Sequence, residues 1–210
     1  MINKSILTDK QTGSKDSKKV KRLIAFLFFV SIFCPLRAIG MDSLADEYVT
    51  RSGKRLFISE SHPVGLSLSD ISIKSSGFEH NISETIKDSD PIKGVYVADL
   101  DDNGFDEFYI ITISSGSGSY GNVIGFASNN DKSLSMINFP DISEGAERFV
   151  GYMGHDKFKI TGNKFIRSFP IYLSNDKNAT PTGGTRHLSY GLFFGEAVWQ
   201  LKVTDVTQSK

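Results

Sequence analysis

The chain has very little cysteine and no motif of a familiar hydrolase or metalloenzyme. Its 210 residues contain one Cys, at position 34, in a segment that we predict is removed from the mature protein. Disulfide bonds, thiol catalysis and thiolate metal sites are therefore excluded for the rest of the chain. The four His residues lack the HExxH spacing of a zinc site, and no Ser lies in a G-x-S-x-G elbow. We expect a protein that is not an enzyme and that is stabilised by its core.

The main apolar run is also short. It covers residues 23–34, and the small residues Ala38 and Gly40 follow it. Four basic residues precede it closely, namely Lys18, Lys19, Lys21 and Arg22. Twelve residues fall short of the ~20 that cross a bilayer, but this order of basic, apolar and small residues is typical of a secretory signal peptide. We predict that residues 1–40 are a cleaved signal peptide and that the product does not insert into a membrane; a membrane anchor is the less favoured alternative.

Net charge is absent from the whole chain but not from the predicted mature protein. The leader holds eight of the 24 basic and two of the 24 acidic residues, which leaves 16 basic and 22 acidic residues and a formal charge of −6 from Met41 onward. An acidic chain without a basic patch is a poor ligand for nucleic acid, whereas it attracts a cationic partner. A charge of this size also serves solubility alone, so it does not identify the partner.

Short apolar runs separated by Gly, Asn, Asp and Ser dominate the chain after residue 54. They are rich in β-branched and aromatic residues without a long helical period, which favours a single all-β domain, an antiparallel β-sandwich or barrel. Residues 95–100 are apolar on both faces, so we expect their strand to be central. The predicted strands are 55–59, 66–74, 92–100, 107–113, 122–127, 133–139, 157–161, 164–173 and 188–203, the last with a break at Gly195.

The predicted organisation has three parts. After the signal peptide, residues 41–60 are an N-terminal lead-in, whose polar part up to Gly53 is expected to be a short helix or disordered. Residues 61–210 are the β domain.

The loop 114–122 is the most distinctive stretch of the sequence. Eight of its nine residues are Gly, Ser or Asn, which suit turns and positive φ, and the remaining one is Tyr120. Predicted strands flank it on both sides. The loop is either a flexible hairpin connection or a narrow tip that carries one aromatic ring into the cleft of a partner.

Three separated stretches resemble one protein family. They are HPVGLSLSDI at 62–71, SGSGSYGNVIGFASN at 115–129 and PTGGTRHLSYGLFFGEAVWQLKV at 181–203. Together they resemble the periplasmic inhibitors of invertebrate-type lysozyme from Gram-negative bacteria. In that family an SGxY loop enters the lysozyme active site, and the matching residues here are Ser117, Gly118 and Tyr120.

The resemblance implies a periplasmic protein that protects bacterial peptidoglycan by binding a host lysozyme, and it implies a homodimer. Inhibitors of animal-type lysozyme resemble this family in having a similar Ser-Gly and Tyr loop, so the type of lysozyme stays open. The expected lysozyme-binding residues are Ser115, Gly116, Ser117, Gly118, Ser119 and Tyr120.

The acidic segment 99–107 has two interpretations. Its oxygen-bearing residues resemble a D-x-D-x-[DN]-G calcium loop, with Gly104 at the bend; they are Asp99, Asp101, Asn103 and Glu107. The twelfth position, a bidentate Glu in the full helix-flanked loop, is Ile110 here. We favour a structural turn whose Asx side chains cap their own backbone, and we predict no cofactor. In the other interpretation calcium binds here and stiffens the strand that leads into residues 114–120. The competing function for the whole protein is a calcium-dependent periplasmic adhesion or scaffolding module, in which the loop 114–122 is only a linker.

The glycine-rich segment 183–187 precedes a predicted strand. A phosphate-binding loop would require a helix N-terminus at that place, so this function is disfavoured. We predict that Arg186 contacts a partner, pairs with a carboxylate or remains a solvated surface side chain.

Overall fold

The structure is a computed structural model that describes residues 45–210 and, within them, every side chain except those of residues 143–146. The predicted signal peptide 1–40 lies outside the described residues. Between residues 45 and 210, no helix has the length and apolar character needed to cross a membrane.

The described residues form an all-β fold of two sheets, as the sequence predicts. One sheet is antiparallel and contains, in this order, β1 (Asp46–Val49), β2 (Arg55–Ser61), β3 (Ser69–Ser76) and β4 (Ser83–Ser89). The other contains β5 (Ile92–Ala98), β6 (Glu107–Ile113), β7 (Gly121–Ser128), β8 (Leu134–Asn138), β9 (Lys157–Thr161), β10 (Lys164–Pro170), β11 (Thr185–Phe194) and β12 (Trp199–Ser209). A 3₁₀ helix, Ile142–Phe149, lies between β8 and β9 in the chain.

The larger sheet forms a nearly closed barrel with the strand order β5-β6-β7-β8-β12-β11-β10-β9. Its two end strands meet where the hydroxyl of Tyr96 donates to the carbonyl of Phe158 at 2.8 Å. The β8–β12 pair is parallel, with Ile137 opposite Trp199, so the expectation of a purely antiparallel barrel is wrong at this pair. A tight hairpin enforces antiparallel pairing, whereas the long connection between these two strands permits a parallel one.

Strands β6 and β7 are buried on both faces. On β6, Tyr109 and Ile111 point into the core of the barrel, while Phe108 and Ile110 pack in a second core against the four-stranded sheet. Successive side chains of β7 also alternate between the barrel core and the second core. The connection between these two strands, residues 114–120, therefore starts from a base that is packed on both sides.

Two expectations about individual strands are wrong. Residues 46–49, expected to be helical or disordered, form β1 because their backbone pairs with β2. The strand that begins at Ile92 is not central but ends the sheet as β5. Both of its faces are apolar because Tyr96 packs on the barrel core while Val95 packs on the second core.

Candidate functional site

Residues 114–120 form a hydrogen-bonded turn. The N–H of Ser114 donates to the carbonyl of Tyr120 at 2.8 Å, and the N–H of Tyr120 donates to Ser114 Oγ at 2.8 Å. A bond of 3.0 Å from the N–H of Ser119 to the carbonyl of Gly116 bends the tip. The loop thus has a defined conformation set by its own backbone.

The tip of this loop is open to solvent. Ser115, Gly116 and Ser117 are exposed, and the side chain of Tyr120 is 47 % exposed. Among the described residues, no hydrogen bond engages the hydroxyl of Ser117 or of Tyr120, whereas Ser115 Oγ donates to the carbonyl of Ser67 at 3.2 Å. Two of the predicted binding residues therefore present hydroxyl groups that a partner can use.

A buried aspartate outside the predicted site anchors the loop. Oδ2 of Asp156 accepts a bond from the N–H of Gly121 at 2.7 Å, and the N–H of Asp156 donates to the carbonyl of Ser119 at 3.3 Å. The neighbouring N–H of His155 donates to the carbonyl of Gly118 at 2.5 Å. These bonds fasten one side of the loop to the segment that precedes β9.

Asp156 is held in turn by a buried cation. Nε and Nη2 of Arg167 on β10 donate to its two oxygens at 2.6 and 2.8 Å, and the two side chains are 1 % and 0 % exposed. The hydroxyl of Tyr152 donates to Asp156 at 2.5 Å and accepts from Arg167 Nη2 at 2.7 Å. Burial lowers the pKa of Arg167, but the hydrogen bond and negative charge of Asp156 outweigh burial and raise it overall. Arg167 is therefore charged, and it binds Asp156 through two hydrogen bonds, one to each carboxylate oxygen.

Aromatic rings enclose the guanidinium group of Arg167. Four ring centres lie 5.1–5.8 Å from its central carbon, within the range of cation–π attraction; they belong to Phe139, Phe149, Tyr152 and Phe158. This enclosure excludes water and fixes the cation that holds Asp156.

Two glycines make room for the ring of Tyr120. A Cβ atom on Gly118 would overlap this ring, and a Cβ atom on Gly154 would overlap the carbonyl of Gly118. The ring meets that of Tyr152 edge to face, with 5.7 Å between the centroids and 68° between the planes. The Tyr120 ring is therefore held in place on one side and exposed on the other.

Gly154→Ala tests this close approach through stability. Gly154 has φ +87°, and its added methyl group would also meet the backbone of the loop. The matched control is Gly162→Ala, where φ is +59° but no atom lies within 4 Å of the new Cβ. We expect the control to cost about 1 kcal/mol of unfolding free energy from the left-handed backbone, and Gly154→Ala about 1 kcal/mol more from overpacking. Equal costs in urea denaturation would contradict the close approach.

Four residues of this anchor were not predicted from the sequence, namely Tyr152, Gly154, Asp156 and Arg167. One signal was present, because alternation along β10 places Arg167 on the same face as Phe165 and Phe169, and both Phe side chains are buried. A charge on such a face requires a buried partner.

The acidic turn 99–107 lies at the other end of β6. Its Asx side chains cap the backbone, since Asp99 accepts from the N–H groups of Asn103 and Gly104 at 3.1 and 2.8 Å. Asn103 donates its amide to Asp101 at 2.9 Å and accepts from the N–H of Phe105 at 2.8 Å. Burial raises the pKa of Asp99, but these backbone bonds and the Arg51 guanidinium lower it overall. The side chain of Asn103 stabilises the turn through two hydrogen bonds, one donated to Asp101 and one accepted from Phe105.

Glu107 in the same turn is fully buried. Its Oε2 accepts from the N–H of Leu100 at 3.0 Å and from the hydroxyl of Tyr109 at 3.3 Å. Its Oε1 has no hydrogen-bond partner among the described residues. Burial, with smaller contributions from Asp101 and Asp99, raises the pKa of Glu107 to about 8.

Arg186 has a structural role within the chain. Its Nη1 donates to the carbonyls of Arg148 and Val150 at 2.8 and 3.3 Å, and its Nη2 donates to Gln208 Oε1 at 3.2 Å. It therefore ties the end of the 3₁₀ helix to β12. The contact of Arg186 with a partner stays a prediction.

No family model, curated protein or solved structure matches the chain. The resemblance to lysozyme inhibitors rests on the three stretches of sequence given above.

Proposed function

We propose that the protein is a periplasmic inhibitor of invertebrate-type lysozyme and that residues 115–120 enter the active-site cleft of the enzyme. One observation carries the proposal: an exposed tip of Gly and Ser, with Tyr120 beside it, is fastened to a buried ion pair. Because the tip has a defined conformation before binding, it loses little conformational entropy when a partner surrounds it.

The chemistry of the tip suits the cleft of a glycosidase. Such a cleft presents two carboxyl groups, one of which acts as an acid. Ser117 and the exposed backbone N–H groups donate hydrogen bonds to carboxylates, and the ring of Tyr120 packs on the walls that normally hold a sugar. The loop contains no glycosidic bond, so it occupies the cleft without being cleaved.

Charge supports the same partner. The formal charge of −6 from Met41 onward attracts a cationic enzyme, and lysozymes are commonly cationic. Long-range attraction of this kind mainly accelerates association, and salt screens it.

A panel assay tests the proposal. The purified protein is added to invertebrate-type and animal-type lysozymes, each with and without a chelator, and the rate of peptidoglycan hydrolysis is measured. We expect inhibition of the invertebrate-type enzyme that does not change with chelator. Inhibition of the animal-type enzyme alone would reassign the partner. Absence of inhibition throughout the panel would overturn the proposal, and folding that requires calcium would then favour the adhesion or scaffolding module.

A further inference from the structure

We propose that the turn 99–107 binds one calcium ion through the carboxylates of Asp99, Asp101 and Glu107. This site lies at the opposite end of β6 from the loop 114–120. The inference goes beyond lysozyme inhibition and does not depend on it.

The distances within the turn suit a single ion. One carboxylate oxygen from each of the three residues lies within 4.8 Å of the other two. Calcium binds oxygen at about 2.3–2.6 Å, so one ion reaches oxygens that are up to about 5 Å apart. The three side chains can therefore share an ion with small adjustments of their torsion angles.

The orphaned oxygen of Glu107 is the independent observation that points to a ligand. Glu107 is 0 % exposed, and its Oε1 has no hydrogen-bond partner among the described residues. The carboxylate is directed into the turn, because its other oxygen accepts from the N–H of Leu100, between the two Asp residues. A buried polar atom without a partner is costly, and a cation at this place would satisfy it.

The nearby positive charge does not compensate the whole cluster. Arg51 is bonded to Asp99 at 2.9 Å and to Asp106 at 2.8 Å. In the part of the chain that the structure describes, no ion pair involves Asp101 or Glu107. The acidic groups of Asp101 and Glu107 thus remain for a divalent cation, which would replace the proton that burial favours on Glu107.

The donor set favours calcium over other metals. All three ligands are carboxylate oxygens, which suit hard cations, whereas zinc and copper prefer nitrogen and sulfur. Calcium accepts six to eight oxygens in irregular geometry, while magnesium demands a near-ideal octahedron and releases water reluctantly. A bent turn with three acidic side chains, of which Asp99 and Asp101 are partly exposed, matches calcium. Bound there, the ion would link the end of β5 to the start of β6, where Ala98 pairs with Glu107.

Calorimetric titration of the purified, chelator-treated protein with calcium chloride tests the site. We expect one ion per chain and a higher melting temperature in calcium than in chelator.

Glu107→Gln keeps the shape of the side chain and its acceptor for Leu100, and we expect it to weaken calcium binding at least tenfold. The matched control is Asp102→Asn, the same replacement of an acid by its amide in the same turn. Asp102 bonds to Asn163 at 2.7 Å and is outside the cluster, so we expect affinity within about threefold of the parent.

Three results would overturn the inference. The first is no heat and no change in melting temperature for the parent up to about 10 mM calcium, above the range of weak extracellular sites. The second is an equal loss in the two variants, which would indicate a diffuse acidic effect. The third is magnesium binding as tight as calcium binding. Melting curves in chelator establish that each variant is folded, and Asp101→Asn replaces Glu107→Gln if that variant does not fold.

Discussion

Replacing Arg167 with Met is expected to lower the free energy of unfolding by about 3–5 kcal/mol. The side chains of Arg167 and Asp156 are 1 % and 0 % exposed, so the substitution leaves a buried carboxylate without its countercharge. The length of the side chain is largely kept, which limits the contribution of lost packing. Chemical denaturation followed by circular dichroism measures the change.

Lys87→Met is the matched control for this substitution. It also removes the cation of an ion pair, but Lys87 and Asp70 are 3.3 Å apart with side chains that are 72 % and 26 % exposed, and such surface pairs contribute ~1 kcal/mol or less. The double variant Asp156→Asn/Arg167→Met should recover part of the stability, because the unpaired negative charge is then gone. A loss for Arg167→Met that does not exceed the loss for Lys87→Met would contradict the role of the buried pair.

Tyr120→Ala is expected to weaken binding to lysozyme by about 2–4 kcal/mol, or at least roughly thirtyfold in affinity. The ring is fixed against Tyr152 on one side and exposed on the other, which is the arrangement of an aromatic anchor that a partner covers. Stability should change little, because the substitution leaves the anchoring bonds of Asp156 in place. Inhibition constants and unfolding free energies, measured on the same preparation, separate the two effects.

Two further substitutions sharpen this experiment. Tyr120→Phe removes only the hydroxyl, so it measures the hydrogen bond apart from the ring. Phe194→Ala removes a large aromatic side chain that is 61 % exposed and that lines a cavity with Asp101 and Asp102, away from the loop. If Phe194→Ala and Tyr120→Ala weaken inhibition equally, or if Ser117→Ala/Tyr120→Ala inhibits like the parent, the assignment of the binding loop is wrong.

Much of the fold follows from local sequence. Each predicted run corresponds to an observed strand, and the break at Gly195 falls between β11 and β12. Strand β4 was not predicted because SETIKDS has few apolar residues and is mostly exposed. It is stabilised by its pairing with β3, and such pairing between strands is not visible in composition.

The candidate site, like the fold, could be predicted only in part. The loop 114–120 could be located because turn-forming residues and an isolated Tyr are properties of a continuous stretch. Its anchor could not, because Asp156 meets Gly121 and Arg167 only after three separate parts of the chain have folded together. Alternation along β10 could have indicated that Arg167 needs a buried partner. It could not have selected Asp156 among the many acidic residues, because the register of the strands makes that selection.

Strands β5 and β9, the two ends of the larger sheet, are not joined by backbone pairing. Each other junction in this sheet is a backbone ladder, whereas here a phenol hydroxyl, that of Tyr96, bridges the gap to Phe158. Asp156 directly precedes β9, so the bonds that fasten the loop come from one side of this junction, while the loop itself connects β6 and β7. The conformation of the tip is thereby tied to the closure of the barrel.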